Sequence, residues 1–113
     1  FNLARAAGLA VGLQRGDPEL IAAGMHDRLH EPYRARLFPH LEEMKRAAVT
    51  AGAWGAALSG AGSTVIALVP MEQVGSVVSA LREAASRVST PGRTQELAPA
   101  CAGVQLHEVV TAR

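Results

Sequence analysis

Two short stretches of this chain hold residue types able to do chemistry. The first is Ser59-Gly60-Ala61-Gly62-Ser63-Thr64, set between the apolar runs 53–58 and 64–69. Five of its six residues are Gly, Ser or Thr. A glycine-rich turn brings backbone N–H groups close together, and the resulting concavity holds an anion or packs against another loop. Ala56, Ala57 and Ala61 are small enough to let a second backbone or a ligand approach. The pattern is not a Walker A loop, because no Lys-Ser/Thr pair follows the glycines. It is not a dinucleotide fingerprint either, because a strand pattern follows it rather than a helix. On the residues alone, a plain hairpin turn whose glycines supply positive φ is the simpler account.

The second stretch is Asp27-Arg28-Leu29-His30-Glu31-Pro32-Tyr33-Arg34. It concentrates charge in a segment interrupted by proline. An arginine fork holds a carboxylate through two parallel hydrogen bonds, so Arg34 or Arg28 could read the carboxylate of an amino-acid substrate. Composition alone equally allows a solvated connection with surface ion pairs of little energetic weight.

Other residue sets carry less. His26 and His30 are four apart, but a metal site needs more ligands, Cys101 is distant and there is no His-Glu-x-x-His, so no metal is expected. Ser59 lacks the Gly-x-Ser-x-Gly setting of a hydrolase, since residue 57 is alanine. Glu42 and Glu43 fall in the first turn of an expected helix, where its dipole favours acids. Trp54 reads as a core or interface anchor. No side chain of this chain is assigned a catalytic role.

The elements that must position these residues follow from periodicity. Leu3, Ala6, Ala7, Ala10, Val11 and Gln14 have the spacing of an amphipathic helix over about residues 2–13. Asp17-Pro18 starts a short second helix, with Leu20, Ile21 and Met25 on its apolar side. Residues 27–39 hold two prolines and are expected to break regular helix. A strong helix follows from Pro39, with Leu41, Met44, Ala48 and Val49 marking its buried face and Gly52 its end. Residues 53–58 and 64–69 read as the strands of an antiparallel hairpin. Pro70 opens a helix to about Val88, with Val74, Val77, Val78 and Leu81 facing inward. Residues 89–102 read as a loop and 103–111 as a final strand. The fold expected is α+β, with an antiparallel sheet and helices packed on one face. A further strand upstream of Phe1 would complete a ferredoxin-like arrangement.

The chain has 113 residues and a formal net charge of +1, which gives no reason to expect nucleic acid or an anionic membrane as partner. No apolar run reaches the roughly 18 residues that span a bilayer, and the start is not a signal peptide. A single Cys101 cannot form an internal disulfide, so a reducing, cytoplasmic setting is expected. The chain opens inside a helix pattern without methionine, and is read as a C-terminal portion of a longer protein.

In order and spacing, residues 55–68 resemble the C-terminal glycine-rich motif of the GHMP kinases, ATP-dependent kinases of small molecules, and look most like the homoserine kinases. Asp27, Glu31, Pro32 and Arg34 match the Asp-x-x-x-Glu-Pro-x-Arg stretch of the same enzymes. Both motifs lie, in the family's order, within residues 2–70, while the C-terminal third matches only in layout. One departure is Ser63, where those enzymes usually carry proline. The resemblance implies a ferredoxin-like C-terminal domain over residues 1–113, lacking an N-terminal domain that binds most of ATP and Mg2+. It implies phosphorylation of the L-homoserine side-chain hydroxyl to O-phospho-L-homoserine, for threonine synthesis. It assigns the homoserine carboxylate to Arg34, and places Ser59, Gly60, Ala61 and Gly62 in an active-site loop. It leaves Asp27, Glu31 and Pro32 to shape their segment, and implies that this chain alone is inactive. Homodimers are common in the family. Another GHMP kinase, acting on an isoprenoid precursor or a sugar, and a non-enzymatic ferredoxin-like ligand-binding module remain as alternatives.

Overall fold

The computed structural model describes residues 1–105. Helix α1 spans Asn2–Arg15 and ends on Gly16, whose φ of 65° is the left-handed cap a helix terminus favours. Helix α2 spans Pro18–Gly24, and the Asp17 side chain caps it by accepting from the N–H groups of Glu19 and Leu20. Helix α4 spans Leu41–Thr50, and β1, Gly55–Leu58, pairs antiparallel with β2, Val65–Leu68. A 3₁₀ turn, Met71–Gln73, leads into helix α5, Val74–Arg87. Residues 89–105 contain no helix or strand. Of the expected last strand, 106–111 lie outside the described residues.

Between α2 and α4 lies a single turn of helix, α3, Glu31–Arg34. Its presence corrects the expectation that prolines keep residues 27–39 irregular. Pro32 falls within the first turn, where the missing N–H would have had no helical partner anyway.

The hairpin pairs Ala56 with Ala67 and Leu58 with Val65 on one face. Against that face pack Ala48 of α4 and Val77 of α5, with Ala53 and Leu81 completing the cluster. These side chains are small, so two helices and two strands approach closely with little volume to fill. The inward positions expected for α5 agree with Val77 at 2% exposure. On α4, Leu41 and Ala48 are fully buried, but Val49 is half exposed. Val49 follows Ala48 by about 100° around the helix, and lies along a groove with Met25 and Trp54.

The face that α1 buries also differs from its sequence pattern. Leu3, Ala6, Ala7, Ala10 and Val11 are exposed, and Gly12 is buried against α2. The contact is set by glycines. A Cβ on Gly24 would lie 2.6 Å from Leu9 Cβ and 2.7 Å from Leu9 Cα, and one on Gly12 would lie 2.9 Å from Ile21 N. α2 in turn reaches the hairpin at Gly55, where a Cβ would meet Met25 Sδ at 2.8 Å. Removing side chains at these points lets the backbones touch, and that contact outweighs an alanine-rich stripe with little area to bury.

Candidate functional site

The segment leading into α3 is organised by one carboxylate. Asp27 accepts from the Asn2 side-chain amide at 2.6 Å and from the N–H groups of Leu29 at 2.6 Å and Glu31 at 3.0 Å. The His30 N–H adds a further bond at 3.2 Å. Asn2 returns its carbonyl oxygen to the Arg28 N–H at 3.1 Å, which ties the start of α1 to the same turn. The Asn2 amide first, and then these backbone donors, hold the Asp27 carboxyl far below the ordinary carboxylate range, against the opposing effect of partial burial.

A carboxyl depressed in the folded state adds stability that is complete above its unfolded pKa. That stability is lost as pH falls through the ordinary carboxylate range toward the folded value. Following the Asp27 side-chain carbon by NMR in acid is expected to show a midpoint well below the ordinary aspartate value. Asn2→Ala is expected to raise that midpoint, since it removes the largest favourable partner. A midpoint that does not move on that change contradicts this role for Asn2.

With the turn fixed, α3 projects Glu31 and Arg34 toward the hairpin loop. Arg34 Nη1 donates to the Gly60 carbonyl at 2.5 Å. Glu31 is buried; its Oε2 accepts from the Leu58 N–H at 3.0 Å, and its Oε1 pairs with Lys45 of α4. After α3, Phe38 lies against Gly62, where a Cβ would be 2.3 Å from its ring, and His40 Nε2 is 3.2 Å from the Ser63 carbonyl. The loop closes on itself through Ser59 N–H to Thr64 O at 2.8 Å and Gly62 N–H to Ser59 O at 3.1 Å. Gly60 and Gly62 have φ of 56° and 91°, and the Gly62–Ser63 peptide is cis.

The structure therefore brings Arg34, Ser59, Gly60, Ala61 and Gly62 together, although 26 residues separate Arg34 from Gly60. It places Arg28 elsewhere: its guanidinium stacks 4.0 Å from the ring centre of Phe1. Asp27 bonds the backbone of its own segment, whereas the Glu31 carboxylate reaches outside the segment, to Leu58 of β1 and Lys45 of α4. Lys45, Phe38 and His40 are neighbours of the site that the sequence reading did not single out. Phe38 and His40 both follow the charged segment closely enough in sequence to be suggested by it, whereas Lys45 does not.

Chemically, a guanidinium has five N–H donors, and the Gly60 carbonyl uses one of Arg34's. The rest suit a planar carboxylate. The Gly60 and Ala61 N–H groups take no backbone partner among the described residues and suit an anionic oxygen. No group of three or more His, Cys, Asp or Glu among the described residues could hold a metal ion. The expected reading of Glu42 and Glu43 as first-turn acids is extended: Glu43 also accepts from Arg87 at 2.9 Å, across α4 and α5. The Arg87 hydrogen bond first, then that of Arg46, lowers its carboxyl pKa. No helix among the described residues is long and apolar enough to cross a membrane.

Comparison with known proteins bears on the whole arrangement. A homoserine kinase of Synechococcus sp. (strain CC9311) is 49% identical over 83 residues, 74% of this chain and 26% of that protein. One of Parasynechococcus marenigrum (strain WH8102) is 54% identical over 78 residues, 69% of this chain and 24% of that protein. The chain thus spans about a quarter of the length of the curated relatives it matches. The crystal structure of homoserine kinase from Cytophaga hutchinsonii superposes with a TM-score of 0.69 at 31% identity, covering 76% of this chain and 28% of that one. The family model described as GHMP kinases C terminal matches residues 9–87, a stretch that holds both motifs and every element from α2 to α5. A shared order of motifs, a shared fold and this match together show that the chain belongs to the GHMP kinase C-terminal family.

Proposed function

We propose that this chain is the acceptor-reading C-terminal part of a kinase that phosphorylates the side-chain hydroxyl of L-homoserine, giving O-phospho-L-homoserine. The observation that carries the reading is the hydrogen bond from Arg34 to the Gly60 carbonyl. It sets the Arg34 guanidinium beside a glycine-rich loop with unengaged amides, which supports a carboxylate-reading role for it. In this reading Arg34 holds the amino acid by its carboxylate beside the loop, leaving the side-chain hydroxyl as the group that accepts the phosphoryl. Positioning of this kind supplies much of the rate in phosphoryl transfer. ATP supplies the phosphoryl group. We assign most of the ATP contacts, and the Mg2+ that accompanies it, to the N-terminal part of the whole protein. The relatives' shared designation, homoserine kinase, supports the choice of acceptor. A single exposed Cys101 is consistent with work in the cytoplasm.

The test is a panel assay on the full-length protein that carries this chain. With ATP and Mg2+, L-homoserine is expected to be consumed, and phosphorus NMR is expected to show its O-phosphate. The 113-residue chain alone is expected to give no product above a no-enzyme control. Phosphorylation of a sugar or an isoprenoid alcohol in preference to homoserine would assign the chain to another GHMP kinase. Tight binding of an amino acid by the isolated chain, without phosphorylation by the whole protein, would make it a binding module.

A further inference from the structure

Glu31 is a charged side chain held inside the described structure, with 8% of the residue exposed. Its two oxygens are shared between two elements. Oε1 pairs with Lys45 of α4, and Oε2 accepts from Leu58, the last residue of β1. The Leu58 N–H faces away from β2. The adjacent residue, Ser59, donates across the hairpin to Thr64 O, and successive N–H groups of an antiparallel strand point to opposite edges. One turn along the same helix, Arg34 donates to the Gly60 carbonyl. Helix α3 thus grips the entry of the glycine loop at two backbone groups two residues apart, by a carboxylate on an N–H and a guanidinium on a carbonyl.

We infer that Glu31 and Lys45 are positioning residues for acceptor binding, fixing the Ser59, Gly60, Ala61, Gly62 loop relative to Arg34. The inference rests on the role proposed above for Arg34 and the loop. The burial of Glu31 makes it dependent on Lys45. A buried carboxylate without its counter-charge is drawn toward water. That movement weakens its hold on the Leu58 N–H and frees the loop entry. An ion pair serving only to join α3 and α4 would need no strand-edge N–H, and its loss would loosen both helices rather than the loop.

The test uses the full-length protein that carries this chain, in two measurements. The first is hydrogen exchange without ligands. Glu31→Ala and Lys45→Met are each expected to speed exchange of the hydrogen-bonded Leu58, Ser59 and Gly62 amides about tenfold, the factor that loss of a charge-assisted hydrogen bond gives. Amides of α5 are expected to stay as in wild type, and Lys45→Arg, which keeps the charge, is expected to restore slow exchange. The second is kinetics: both variants are expected to raise the homoserine KM about tenfold while kcat changes less than about threefold. Loop exchange within about twofold of wild type in both variants overturns the inference. So does an equal rise in α5, which would mark a general loss of stability. Loop-confined exchange in a protein that does not phosphorylate homoserine would remove the proposed substrate and leave the positioning role standing. Homoserine phosphorylation with unchanged loop exchange and KM would do the reverse.

Discussion

Replacing Arg34 with alanine is expected to raise the KM for L-homoserine by about 10- to 100-fold, with the KM for ATP unchanged within about twofold. The magnitude is that of losing a charge-assisted, two-point contact to a carboxylate. The Arg34 guanidinium is anchored on the Gly60 carbonyl, so its remaining donors are aimed before substrate arrives. That preorganisation is why the effect is expected in binding of the acceptor rather than of ATP. Arg34→Lys is expected to recover little, because a single ammonium cannot hold the loop carbonyl and a planar carboxylate together. Steady-state kinetics with each substrate varied in turn decides the matter. A homoserine KM unaffected by Arg34→Ala removes the role assigned to this residue.

Gly62→Ala is expected to lower kcat/KM by about 100-fold, the order that follows from displacing a reacting group by about 1 Å. Two physical effects act together. Gly62 has φ of 91°, a conformation an alanine adopts only with strain of roughly 1–3 kcal/mol. The new methyl would also stand 2.3 Å from Phe38 Cε2, within the ring's own volume. Phe38 follows α3 directly, its N–H bonded to the Arg34 carbonyl at 3.1 Å, so relief of the clash, by turning of the ring or by displacement of the loop, disturbs the packing between this segment and the loop. In the double variant with Phe38→Ala, the steric part is removed and the backbone strain remains, so partial recovery is expected. Activity of the single variant within about threefold of wild type would mean that Phe38 does not set the loop.

Much of this arrangement was legible because its signals are local. The Asp17-Pro18 pair marks a helix start by its own chemistry, and Asp17 caps α2 as that chemistry requires. The alternation of short apolar runs around 59–64 identifies the hairpin, and its glycines need no distant partner to be recognised. Arg34 was legible through the resemblance of its segment, and the structure supplies what sequence spacing lacks, its approach to Gly60. The partners of Glu31 were not legible, since Lys45 is 14 residues and Leu58 27 residues away, and neither belongs to a pattern. The face of α1 was misread for a related reason. Alanines surround that helix, so periodicity is weakly determined, and the deciding contacts are made by Gly12 and Gly24, which carry no hydrophobic signal. Val49 was drawn into the buried face of α4 by its type, whereas the small cluster around Ala48 and Ala56 has room only for the side chains beside it.

The most direct test of the central claim crosses the substrate carboxylate with Arg34. In the full-length protein that carries this chain, kcat/KM is measured for L-homoserine and for 3-aminopropan-1-ol, which keeps the amine and hydroxyl but lacks the carboxylate. Wild type is expected to prefer homoserine strongly, and Arg34→Ala to shrink that preference by about tenfold or more. A preference of the same size in wild type and variant would contradict the account, because the carboxylate would then be read by some group other than Arg34.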